Sequence, residues 1–366
     1  MKMSKHRFPY KWQKAELNRV QKHGHNVFST FSCGGGSSFG YKMAGFDVIG
    51  CNEIDKEMVA FYRANHHPLY VYNEPIQTFK SREDLPPELF NLDILDGSPP
   101  CSTFSMSGSR EEAWGKEKKF REGQAEQVLS DLFFDYLDLV AKLKPKVSIA
   151  ENVSGMVLGK AKGYCKMVIE QYNKLGYDVQ LYLMNSSRMG VPQKRERVFF
   201  IARRRDLNWP NLTLAFGEDP ITFREVSNNL PFQDLEGTAG CKTDSIFWGI
   251  VPPGKSYCTI SRKNNYFNTA KLKMSGVSPT IVASKSNVHP TEKRLLSWVE
   301  TCLIGSYPYD YDFLGKNNAM KLYLVGMSVP PVMTAQIAAK VAEQWFNVPS
   351  EQIDSAWEVK NENPGT

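Results

Sequence analysis

Four short apolar runs in the first 152 residues each stop at a turn loaded with glycine, proline or a carboxylate, and segments of helix length separate several of them. Residues 26–31 run into a glycine-rich turn over 33–40, and residues 47–51 end in Asn52-Glu53. Residues 92–95 stop at Asp96-Gly97-Ser98-Pro99-Pro100, and residues 147–150 lead to Glu151-Asn152. Residues 124–143 space Val128, Leu132, Phe133, Tyr136, Leu137 and Val140 as one helix face, ended by Pro145. A further helix is expected over 164–175, stopped by Gly176, then strands over 178–183 and 198–202. Strands that alternate with helices build a parallel sheet, because a parallel neighbour requires a long crossover. Ligands of such α/β sheets bind beyond the carboxyl ends of the strands. Gly34, Gly35, Gly36, Glu53, Pro99, Pro100, Cys101 and Glu151 should therefore converge on one crevice.

Beyond residue 206 the character changes: proline, glycine and asparagine become frequent and helical patterning is scarce until about 290. The expected organisation is a basic extension (1–25), a ligand-binding domain (26–205), a small domain (206–286), a segment returning to the large domain (287–348) and a polar, frayed tail (349–366). The 366 residues, 42% hydrophobic and 23% charged, supply an ordinary globular core. No uninterrupted apolar run of membrane-spanning length and no apolar secretory leader is visible, so a soluble, cytoplasmic protein is expected. Seven scattered cysteines with no C-x-x-C pair fit neither a zinc site nor a disulfide framework. The net charge of +6 is concentrated: residues 1–25 hold seven Lys/Arg against Glu16. Residues 251–294 hold eight more against Glu292, interleaved with Tyr257, Tyr266 and Phe267. Such stretches suit a phosphate backbone or are simply solvated.

Four signals carry chemistry. In Phe31-Ser32-Cys33-Gly34-Gly35-Gly36, glycines permit close backbone approach to a cofactor, and Glu53 at the next strand end can accept from ribose hydroxyls. Two prolines fix the chain before Cys101, a setting that aims a thiolate and that a structural cysteine does not need. Glu151 in a partly desolvated pocket would hold a proton near neutral pH; the plainer reading is an acid at a helix start. In Gln193-Lys194-Arg195-Glu196-Arg197, alternation puts Gln193, Arg195 and Arg197 on one face, suited to a base edge or a phosphate. Taken alone, the glycine turn also suits a nicotinamide-dependent dehydrogenase, which leaves the other three signals unexplained.

In this order the signals resemble the cytosine-5 DNA methyltransferase family, from residue 28 to about 346. Arg294-Leu295-Leu296-Ser297 with Glu300, and Gly326-Met327-Ser328-Val329-Pro330-Pro331, extend the likeness. Three positions depart from the family pattern: Ser29 stands for an acid, Cys33 for a glycine, and Met327 for an asparagine. The resemblance implies a Rossmann-like class I methyltransferase domain with a parallel-rich sheet and a smaller target-recognition domain. It implies S-adenosyl-L-methionine as cofactor, contacted by Phe31, Gly35, Gly36, Glu53, Ile54, Ile76, Pro100, Leu132 and Val329. Cys101 would be the nucleophile, Glu151 the group at cytosine N3, and Asn152 its support. Arg195 and Arg197 would lie at the cytosine O2. The polar stretch 102–123 would close over a flipped base with Ser105 on a phosphate, while Gln193, Lys255, Arg262 and Lys263 would contact DNA. The implied partner is double-stranded DNA, met by a monomer, with no membrane and with any cognate restriction endonuclease acting separately. A tRNA-methylating branch and a catalytically silent DNA-binding relative stay open.

Overall fold

The computed structural model describes residues 6–100, 132–157, 161–240, 242–260, 269–283 and 287–358, with the backbone of 117–118 and 127–128. Strands β1 (Asn26–Thr30), β2 (Asp47–Asn52), β3 (Tyr70–Tyr72), β4 (Ile94–Gly97), β5 (Val147–Val153), β6 (Tyr177–Asn185) and β7 (Glu196–Arg204) form one seven-stranded sheet. Their order is β3-β2-β1-β4-β5-β7-β6. Strands β1 to β5 pair in parallel, and β7 runs antiparallel to both β5 and β6. The exception follows from length: β6 and β7 are joined by ten residues without a crossover helix, which returns the chain antiparallel.

Alternation along each strand feeds two apolar layers. Val27, Ile94, Ile149, Phe199 and Ile201 face one, with α1 (Gly36–Met43), α2 (Lys56–His66) and the C-terminal helices α9 (Asn318–Met327) and α10 (Pro331–Trp345). Phe28, Leu95, Ala150, Val198 and Phe200 face the other, with α3 (Ile76–Ser81), α4 (Leu132–Leu143) and α5 (Ala161–Lys174). The stretch Asn318–Trp345 is long and apolar enough to cross a membrane, but 83% of its apolar window is buried here. It is core, with α10 laid against α1. Within 206–286, Leu212, Ile221, Phe223, Val226, Leu272 and Ile281 join this main layer. A small separate cluster gathers Val251, Tyr257 and Val288 with Phe247 and Trp248 of α7 (Lys242–Ile250).

Both chain ends close over α1, which corrects two expectations. The basic extension is a clasp: Phe8 and Trp12 are fully buried, and Arg7 donates to Glu343 (2.6 Å) and Asp354 (2.7 Å). Lys22 pairs with Asp47 (2.7 Å), and Trp12 Nε1 donates to Ser306 O (2.9 Å). The tail does not fray at 349, because a short helix, Ser350–Asp354, buries Ile353 and leads Trp357 into the clasp. The Trp357 ring meets Phe8 (6.2 Å) and Trp12 (6.5 Å), and its Nε1 donates to Met43 O (3.0 Å). Polar neighbours hide these two apolar anchors from a reading of composition. Trp357→Ala should lower the unfolding free energy by about 3–5 kcal/mol, the usual cost of emptying a buried aromatic site, as measured by urea denaturation.

Candidate active site

The sheet grows outward in both directions from the β1–β4 pair, and this switch point gathers the chemistry at the carboxyl ends. The turn after β1 is tight: Phe31 (φ 51°) and Cys33 (φ 47°) both occupy the left-handed region, as does Gly35 (φ 86°). A side chain at Gly35 would strike the His66 ring, and one at Gly36 would strike Val329 O. These glycines let protein approach protein, with α2 and the C-terminal segment backing the turn. Tyr311 adds a hydrogen bond from its hydroxyl to Gly34 O (2.9 Å). Glu53 accepts from the backbone N–H of Cys33 (2.8 Å) and of Asp55 (2.9 Å). Burial raises its pKa, and a carboxylate with two such donors still has lone pairs for hydroxyls.

Of the other expected cofactor residues, Phe31, Ile54 and Pro100 are half-buried, whereas Ile76, Leu132 and Val329 are buried in the apolar layers. Cys101 and Ser105 lie outside the described residues, as do Arg262 and Lys263. Lys255 is exposed. Two other basic side chains of 251–294 are engaged internally. Lys271 lies 4.0 Å from the Trp248 ring centroid and donates to Trp248 O (2.8 Å). Arg294 forks onto the fully buried Glu300 (2.8 and 3.0 Å).

Beside the turn, β5 and β7 place a charge pair. Glu151 faces Phe199 across the antiparallel ladder, so Arg197, two residues away, lies diagonally on the same face. Arg197 Nε sits 2.7 Å from Glu151 Oε1, with both side chains largely buried. Asn152 takes a different task from the expected support of that carboxyl. Its amide donates to Pro99 O (3.0 Å) and its oxygen accepts from Val153 N (2.9 Å), tying the end of β5 to the segment just before Cys101.

The alternation of 193–197 is as expected: Lys194 and Glu196 are exposed and the other three turn inward. What they face is protein. Gln193, 2% exposed, accepts from Ile281 N (3.0 Å) and donates to Ile304 O (3.3 Å), which corrects its expected place on DNA. Arg195, 3% exposed, donates to Ile281 O and Gly326 O (both 3.1 Å), and burial lowers its pKa to about 9. Its guanidinium therefore fastens two distant segments to the start of β7, leaving Arg197 as the arginine beside Glu151. The cause is topological: Gln193-Lys194 pairs in parallel with Ser278-Pro279, which covers this face.

Burial pushes the thiols of Cys33 and Cys51 up to about 12 and raises Cys165 and Cys302 as well. None of these four is poised as a thiolate.

One group escaped the sequence reading. Asp96, 4% exposed, accepts from Ser29 Oγ (2.7 Å), Ser37 Oγ (2.8 Å) and Tyr41 OH (3.1 Å). Its signal in the sequence is only an acid at the end of an apolar run. The convergence of three hydroxyls depends on β1, β4 and α1 meeting.

Residues 25–343 match the C-5 cytosine-specific DNA methylase family. The type II methyltransferase M.FnuDI of Fusobacterium nucleatum is 33% identical over 350 residues, covering 87% of this chain and 94% of that protein. M.NgoPII of Neisseria gonorrhoeae is 27% identical over 351 residues, covering 86% and 94%. Among solved structures, one described as a DNA modification methyltransferase encoded within an Escherichia coli prophage superposes with a TM-score of 0.68 at 21% identity, covering 89% of this chain and all of that one. A Spodoptera frugiperda DNMT2 mutant gives 0.61 at 17% identity, covering 87% and 99%.

Two measurements check the site. Gln193→Ala should lower the melting temperature while leaving affinity for duplex DNA within about twofold, since the amide it loses serves protein carbonyl and amide groups. Asp96 has a folded-state pKa of about 6 against an ordinary 3.8, because burial penalises its charge. The folded chain then binds the proton more tightly than the unfolded chain between those values, so stability falls as pH rises from about 4 to about 6. Asp96→Asn should remove that part of the stability–pH curve in urea unfolding.

Proposed function

The chain belongs to the C-5 cytosine-specific DNA methylase family, and from that premise we propose that it moves a methyl group from S-adenosyl-L-methionine to carbon 5 of a cytosine flipped out of duplex DNA. The observation that carries this reading is the Glu151–Arg197 pair beside an Asn152–Pro99 bond two residues before Cys101. The donor, when bound, supplies an electrophilic methyl. Glu53, with acceptor capacity left, would hold its ribose. Phe31, Ile54 and Pro100 would give it apolar surface, with Gly35, Gly36, Ile76, Leu132 and Val329 forming the wall behind.

Carbon 5 of cytosine is a weak nucleophile. Cys101, as thiolate, adds to carbon 6 and makes the ring enamine-like. Glu151 meets ring N3 and stabilises the charge that this addition moves there. Arg197 places its guanidinium at the cytosine O2 while orienting Glu151. Asn152 holds the backbone that aims Cys101, and Arg195 fastens the surrounding segments. After methyl transfer, loss of the carbon 5 proton and elimination of Cys101 restore the aromatic ring.

A stacked cytosine is out of reach, so the base leaves the duplex at a cost of about a few kcal/mol. Residues 102–123 are proposed to close behind it, with Ser105 on a phosphate. The segment 206–286 is proposed to read a short site, with Lys255, Arg262 and Lys263 on the DNA. The enzyme is taken to act as a cytoplasmic monomer, with any cognate endonuclease a separate protein.

The test is transfer of tritiated methyl from S-adenosyl-L-methionine to mixed-sequence duplex DNA and to total tRNA. Alkali-stable label on DNA cytosine is expected, abolished by Cys101→Ala and reduced at least about 100-fold by Glu151→Gln, within the range that one acid–base group contributes. Label in tRNA alone would move the substrate to RNA. No label, with the cofactor still raising the melting temperature, would leave a silent DNA-binding relative.

A further inference from the structure

Asp96 is a charge the fold does not require. It is buried at the carboxyl end of β4 and has no ion pair among the described residues; its partners are three hydroxyls. A buried carboxylate without a counter-ion is costly, and a neutral side chain would seal the same space more cheaply. Buried titratable groups with perturbed environments recur at functional sites.

Its three donors come from the two parts of the site that must be registered against each other. Ser29 lies beside Asp96 in the parallel β1–β4 ladder. Ser37 and Tyr41 belong to α1, whose first turn follows the glycine turn directly. Thr30 Oγ1 adds a bond to Asp96 O (3.0 Å). Cys101 follows Asp96 by five residues in the sequence, and Pro99 between them is held by Asn152. The position of Asp96 therefore sets the turn and α1 on one side, and the exit of β4 on the other.

We propose that Asp96 is a positioning residue for methyl transfer, holding the cofactor turn and α1 in fixed register with the strand that delivers Cys101. This deepens the methyltransferase reading and rests on it. The register puts the carboxylate of Asp96 level with Ser29 on the adjacent strand.

A structural filler and a positioning group differ in kinetics. Asp96→Asn and Ser37→Ala, assayed well below their melting temperatures, should each raise the KM for S-adenosyl-L-methionine and lower kcat, by about tenfold for Asp96→Asn and less for Ser37→Ala. The decisive variant moves the acid across the ladder: Ser29→Asp with Asp96→Ser should recover a large part of both constants relative to Asp96→Ser alone, because residue 29 already bonds the same carboxylate oxygen that Ser37 does. Wild-type kcat and KM in folded Asp96→Asn would overturn the proposal. So would a folded double variant no better than Asp96→Ser. Wild-type protein that methylates no cytosine would instead sink the function on which the proposal rests.

Discussion

The β1–β4 contact is the constraint on which the rest of the site depends. The chain builds β1, β2 and β3 outward on one side, then returns to place β4 against β1 and grows the other way. That reversal opens a crevice where two consecutive turns cannot cross the sheet between them. Into it come the glycine turn, the exit of β4 towards Cys101 and, one strand further, Glu151. Asp96 sits on the seam itself, which is why an acid that closes an apolar run gathers hydroxyl partners from both β1 and α1.

Part of the charge that points to nucleic acid in composition is engaged by other groups of the protein. Arg7, Lys271 and Arg294 have buried or half-buried partners, Lys22 pairs with Asp47 at the surface, and Arg195 is sealed under two carbonyls. Arg197 is held by a carboxylate whose position the antiparallel ladder fixes. Polar ties of this kind are specific because each one loses most when a single partner is removed. They bind the 278–283 segment, the end of α9 and the start of β7 into one wall.

Six of the seven strands were legible because their apolar periodicity is local. So were the helices expected over 124–143, 164–175 and 331–346, found at 132–143, 161–174 and 331–345. Tyr70–Tyr72 was not legible as a strand, and Gln127–Val128 pairs as strand, not helix. The inward turn of Gln193, Arg195 and Arg197 was legible too, since alternation is a property of the strand. The object on that face was not legible: Ile281, Ile304 and Gly326 lie roughly 90 to 130 residues away in the chain, as the separations of their hydrogen bonds record. The anchors Ile353 and Trp357 were hidden for a similar reason, being two apolar residues in a polar tail whose value comes from Phe8 and Trp12 at the other end.

The sequence by itself determined the class of sheet, the order of the candidate residues and the placement of Glu53 and Glu151 at strand ends, because backbone propensity and side-chain periodicity act over a few residues. Family membership follows from the same linear order. Tertiary structure decided which polar groups are available for chemistry. Asn152 goes to Pro99 and not to Glu151, Arg195 goes to two backbone carbonyls, and Asp96 gathers Ser29, Ser37 and Tyr41. Buried donors and acceptors must be satisfied by whatever the fold brings within about 3 Å, and no spacing along the chain encodes that neighbour.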